Sequence, residues 1–187
     1  MNNVKYLFVL FLAISLAQIA APLYMAWHWE NILQTGQTFY WQTAPVDPYD
    51  AFKGRYIDLR FKEMSGPALD NTEFHYGQAA YALIGVNQEG HAYIRGITQL
   101  QPTAAPFIRV KINYIQDNLV HVELPFRRYY LPENQATAAE TAYQKKAGQT
   151  AIAAVRLKDG YGVIEQLYID NKTLTDYLLE ANPSSKK

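Results

Sequence analysis

The stretch "FIRVKINYIQDNLVHVELPF", residues 107 to 126, decides the fold class. Ile108, Val110, Ile112 and Tyr114 fall on one parity, and Val120, Val122, Leu124 and Phe126 on a matching one. Arg109, Lys111, Asn113, His121 and Glu123 take the opposite side. Two alternating runs around a tight turn at Gln116, Asp117 and Asn118 predict an antiparallel pair with one buried face. The same signal recurs on either side. "QAAYALIGV" and "HAYIRGITQL" flank "NQEG", and "AIAAVRL" and "VIEQLYI" flank "KDGYG", which contains an Asp-Gly turn.

Further strands are expected at "QTFYWQT" and across residues 54–62, where Ile57, Leu59 and Phe61 share a parity. "MSGPALDNTEFHYG" reads as loop, being rich in Gly, Pro, Asn and Asp. "PENQATAAETAYQKKAG" reads as an inserted helix. Glu133 falls in its first turn, Lys145 and Lys146 in its last, and Gly148 lies just past its end. "TLTDYLLEAN" adds a short helical turn. The expected fold class is mainly β, an antiparallel barrel-like or sandwich domain with one inserted short helix.

A single transmembrane helix is expected to precede that domain. Tyr6 to Trp27 carries no charge, and Gln18 is its one strongly polar residue. Its length meets the roughly 20 residues needed to cross a bilayer as a helix. Lys5 and the α-amino group precede it, and Trp27 and Trp29 suit the interface. The expected arrangement is single-pass, with the N-terminus cytoplasmic and the main domain extracytoplasmic. The rival is a cleaved signal peptide with "SLA" at Ser15 to Ala17, but the apolar run continues past it. The expected divisions are an anchor over 1–30, a β-rich domain over 31–180 and a flexible tail over 181–187.

Composition bounds the function. The chain has 187 residues, 17 Lys+Arg against 17 Asp+Glu, and no cysteine. Without a basic field it is not expected to hold nucleic acid. Thiol chemistry, disulfides and cysteine-based zinc sites are excluded. Beyond the anchor the serines are Ser65, Ser184 and Ser185, none beside a base on a rigid element, so no catalytic residue is assigned. His121 and Glu123 share a strand face, yet a histidine metal site needs a third ligand with better spacing; no metal or cofactor is expected.

"KGRYIDLRF", residues 53–61, opens its apolar parity with a guanidinium, Arg55. Either it pairs with Asp47, Asp50, Glu133 or Glu140, where a two-pronged pair would form a rigid clamp, or it snorkels at the sheet rim with no specific partner. Glu133 and Glu140 are seven apart, on one helix face. "RRYY" at 127–130 alternates Arg and Tyr at a strand end. It suits either an anionic headgroup or sugar, or an edge protected by charge.

Two stretches resemble the GDYXXLXY proteins, a bacterial family. "VDPYDAFKGRYIDLRF" matches its pattern at Asp47, Pro48, Asp50, Phe52, Gly54, Tyr56 and Leu59. "FRRYYLPENQATAAE" resembles its downstream Tyr-x-Pro-Glu segment at Tyr130, Pro132, Glu133 and Glu140. Arg55 stands where the family has aspartate, and Phe61 where it has tyrosine. The resemblance implies a membrane-anchored extracytoplasmic protein that accompanies multispanning membrane proteins; it implies no activity. The candidate binding set is Arg55, Tyr56, Arg128, Tyr130, Glu133 and Glu140. The leading expectation is an accessory module docked on an integral membrane partner. The alternatives are an envelope hydrolase and a sensor of sugar or headgroup ligands, which a pocket of Arg55, Tyr130 and Glu133 would favour.

Overall fold

The computed structural model describes residues 2–45, 56–69 and 73–181. The chain opens with α1 (Asn2–Thr35), whose side chains are exposed over most of its length. At about 1.5 Å per residue it is far longer than the roughly 30 Å apolar core of a bilayer. Val4–Thr35 is long and apolar enough to cross a membrane. The helix does not stop at residue 30: Ile32 is buried in the β domain. Gly36 ends it, its N–H donating to the Ile32 carbonyl at 2.8 Å. A Cβ there would sit 2.5 Å from that same oxygen, so only glycine fits. Two cations then cap the helix. Lys158 Nζ donates to Thr35 Oγ1 at 2.7 Å, and Arg156 Nη1 to the Gly36 carbonyl at 3.1 Å. Positive charge is favoured at this end of a helix.

Twelve strands follow among the described residues, and every ladder is antiparallel. They are β1 (Gln37–Ala44), β2 (Tyr56–Asp58), β3 (Arg60–Phe61), β4 (Ser65–Pro67), β5 (Ala79–Val86), β6 (Ala92–Thr98), β7 (Phe107–Gln116), β8 (Leu119–Glu123), β9 (Arg128–Tyr130), β10 (Ile152–Lys158), β11 (Tyr161–Ile169) and β12 (Lys172–Thr173). Two further helices are α2 (Glu133–Lys146) and α3 (Leu174–Ala181). One sheet has the order β12-β11-β10-β1-β3, a second β4-β8-β7-β5-β6, and β2 pairs β9. A parallel bridge from Ala68 to Ile97 brings the end of β4 beside β6, so the second sheet curls into a nearly closed barrel. Another, from Ile108 to Gly160, joins β7 to the β10–β11 turn. The architecture is therefore mainly β and barrel-like, with α2 inserted and α1 in front.

The three predicted hairpins all form. Asp117 and Asn118 both take positive φ in the β7–β8 turn, as do Asp159 and Gly160 in the β10–β11 turn. That conformation matches the right-handed twist of the flanking strands. Asp170 and Asn171 make a third such turn that joins β11 to β12.

Three expectations need correction. Tyr114 does not continue the buried face of β7. The register shifts between Ile112 and Tyr114, so the extra residue turns Tyr114 outward, 48% exposed and stacked 4.2 Å from His121. The loop expected over 64–77 contains β4, which pairs β8 from Ser65 to Pro67. The strand expected over 54–62 is two strands in two sheets: β2 pairs β9, and β3 pairs β1. Leu59 at the junction donates its N–H to the Arg127 carbonyl at 2.6 Å. The parity survives the change of sheet, and Ile57, Leu59 and Phe61 are all buried.

That corner builds the core. Phe61 packs edge-on against Trp41 of β1 at 5.9 Å and Phe126 at 5.6 Å, and Trp41 meets Phe126 at 6.1 Å. Each ring comes from a different segment, so the trio ties the sheets together. Phe126 also packs against Gly162 of β11, where a Cβ would come within 2.5 Å of its ring.

Candidate functional site

From the bridge at Ile108 and Gly160, strands β7 and β11 separate and leave a cleft of about 980 Å³. Leu124, Phe126, Gly162 and Ile164 contribute its apolar lining. Arg109, Lys111, Glu123, Arg127, Arg128 and Glu165 contribute its charge. Trp29 of α1 lines it too, which sets the cleft where the N-terminal helix meets the domain.

Strand register places the charged groups. Arg109 and Lys111 are successive outward residues of β7, and Glu123 stands opposite Lys111 on β8. The Arg109 guanidinium lies 4.7 Å from the centre of the Tyr161 ring and donates to its hydroxyl at 2.9 Å. Tyr161 also receives His28 and Trp29 edge-on, at 5.0 and 6.0 Å. One tyrosine thus joins the helix to the cleft wall. Glu165 is held two-pronged by Arg156 at 2.8 and 2.9 Å.

On the other side, Tyr56 faces Tyr130 across the β2–β9 ladder, and Asp58 faces Arg128. The two tyrosine rings are 5.7 Å apart, and Arg128 reaches diagonally over Tyr56 at 4.7 Å. Arg127, not Arg128, takes Asp58, with Nη2 to Oδ2 at 3.0 Å and Nε to Oδ1 at 3.3 Å. The hydrogen bond to Asp58 raises the Arg127 pKa further. Burial raises the Tyr129 pKa, while its hydroxyl meets the Leu167 backbone and Gln166.

The predicted set is therefore divided. Tyr56, Arg128 and Tyr130 come together as one cluster, and Arg128 and Tyr130 line the cleft. Glu133 starts α2 and Glu140 is half-buried along it, and neither is among the residues that line this cleft. Arg55, Asp47 and Asp50 lie outside the described residues. The sequence reading missed Trp29, Arg109, Lys111 and Arg127 as site residues. Their signal was present: two cations at alternate positions of one strand face, and a paired Arg-Arg before the next strand. Among the described residues no three His, Asp or Glu side chains converge as metal ligands. His121 is instead stacked on Tyr114.

Fold and cleft together define a class: a barrel-like antiparallel β domain carried on an N-terminal helix apolar enough to span a bilayer. The chain belongs to the GDYXXLXY family, whose model matches residues 18–167. No curated protein and no solved structure matches it.

Proposed function

We propose that this chain is a membrane-tethered, extracytoplasmic binding module that acts on a component of the bilayer holding it. The observation that carries this reading is Trp29. It lies on the same unbroken helix as the apolar span and also lines the cleft. It lies two positions beyond Trp27, about 3 Å along a helix axis. With the span in a membrane, the cleft opens at headgroup depth. Lys5 ahead of the span supports a cytoplasmic N-terminus and an extracytoplasmic domain in the cell envelope.

Photocrosslinking from position 130 in native membranes tests the reading. The expected adduct is a bilayer component, lipid or integral protein. Adducts with soluble proteins alone, or none, overturn it. An accessory role beside an integral membrane protein is the second reading. It is favoured by the exposed apolar tip of the β7–β8 hairpin, formed by Tyr114, Ile115 and Leu119. Adducts formed from position 115 with one membrane protein would support it.

A further inference from the structure

The cleft holds more positive charge than its ion pairs neutralise. Four cations line it, Arg109, Lys111, Arg127 and Arg128, against two carboxylates, Glu123 and Glu165. Glu165 is taken by Arg156 from outside the lining, and Arg127 is taken by Asp58. Glu123 lies 3.6 Å from the Arg127 Nη1. Among the described residues, no carboxylate is within ion-pair distance of Arg109, Lys111 or Arg128.

Two of these cations are held without being neutralised. Arg109 and Arg128 rest on the faces of Tyr161 and Tyr56. A ring face orients a guanidinium and leaves most of its five N–H donors unused. Lys111, also in the lining, adds a mobile point charge. Planar forks beside an ammonium suit a group with several charged oxygens arranged around one centre. A phosphate is such a group, and it accepts two-pronged bonds from arginine. The apolar lining and Trp29 provide room for an uncharged remainder of the ligand.

We propose that the cleft binds a phosphate-bearing anion through Arg109, Lys111 and Arg128. Resting on the reading above, the source this favours is an anionic phospholipid headgroup, since the polar zone of each leaflet is about 5–8 Å deep and Trp29 lies within it. A soluble phosphate offers the same chemistry from the aqueous side.

The full chain in a neutral detergent is titrated calorimetrically with three probes: dihexanoyl phosphatidylglycerol, dihexanoyl phosphatidylcholine and inorganic phosphate. The expected result is saturable binding of the glycerol lipid, with weaker binding of the zwitterionic choline lipid. Arg109→Gln and Arg128→Gln should each weaken it about tenfold or more. Lys111→Gln removes an exposed charge that no fold contact uses, so it reports on the site even if an arginine variant unfolds. Inorganic phosphate binding as tightly, with the same sensitivity to substitution, supports the site and assigns the soluble source. No binding of any probe, or binding unchanged in all three variants, overturns the proposal. Crosslinks from position 130 to a membrane protein, with no phosphate binding, overturn it while leaving the membrane-module reading intact. Phosphate binding without any bilayer adduct does the reverse.

Discussion

The Arg109 guanidinium lies over the Tyr161 ring at 4.7 Å and also donates to its hydroxyl at 2.9 Å. The same ring receives His28 and Trp29 of α1. Tyr161 is thus a joint between the N-terminal helix and the cleft, and its removal should loosen both. Aromatic and cation contacts of this kind contribute about 0.5–1.5 kcal/mol each. Tyr161→Leu is expected to raise amide exchange across residues 28–36 while leaving exchange in the β5–β6 hairpin unchanged. Equal rises in both regions would mean general destabilisation and no joint.

Gly162 should tolerate no side chain. A Cβ there would meet the Phe126 ring at 2.5 Å, and Phe126 is itself packed against Trp41 and Phe61 at 6.1 and 5.6 Å. Overpacking of a filled core costs about 1–3 kcal/mol. Gly162→Val is expected to lower stability by that amount in chemical denaturation. It should also reshape the apolar lining of the cleft, since Phe126 serves both. A variant as stable as the parent would show that Phe126 has somewhere to go.

The absence of cysteine gives a clean test of orientation. Glu89 lies exposed in the β5–β6 turn, where its side chain makes no contact that the fold needs. Glu89→Cys is expected to react with a membrane-impermeant maleimide in intact spheroplasts. A cysteine replacing Asn3, ahead of the span, should react only after permeabilisation. The opposite pattern would put the domain in the cytoplasm.

The hairpins were legible in the sequence because their turns and their alternation agree: Asp117-Asn118 and Asp159-Gly160 supply positive φ between runs of period two. The parity of Ile57, Leu59 and Phe61 was legible for the same reason. What parity cannot convey is which partner a strand has. β2 and β3 read as one strand because the change of sheet at Leu59 leaves the alternation intact. The bulge near Asn113 was invisible because an apolar-looking tyrosine sits where the pattern wants one. At the site, "RRYY" pointed to Arg128 and Tyr130, but Arg109 and Tyr161 meet across 52 residues. No local pattern encodes that contact.

Tyr143 offers a prediction whose sign follows from its burial. It extends from α2 into the core at 1% exposure, and its hydroxyl accepts the Arg60 N–H at 3.3 Å and lies against Thr43 and Ala44. Burial raises its pKa, because the phenolate would be stripped of water. Tyr143→Phe should cost about 0.5–1.5 kcal/mol near neutral pH through the lost hydrogen bonds. Above about pH 10, the ordinary tyrosine range, the unfolded chain loses the residue 143 proton while the folded chain retains it. That favours unfolding of the parent but not of the phenylalanine variant. The stability gap between the two should therefore narrow as pH rises from 8 to 11. Lys146 and Lys172, whose pKa values are raised by their partners Asp170 and Glu180, titrate alike in both proteins and cancel from the difference. Chemical denaturation of both chains at several pH values in one detergent measures the gap. A gap that is constant or widens would mean that the buried hydroxyl can ionise in place, and that the core beneath β1 and β3 admits water.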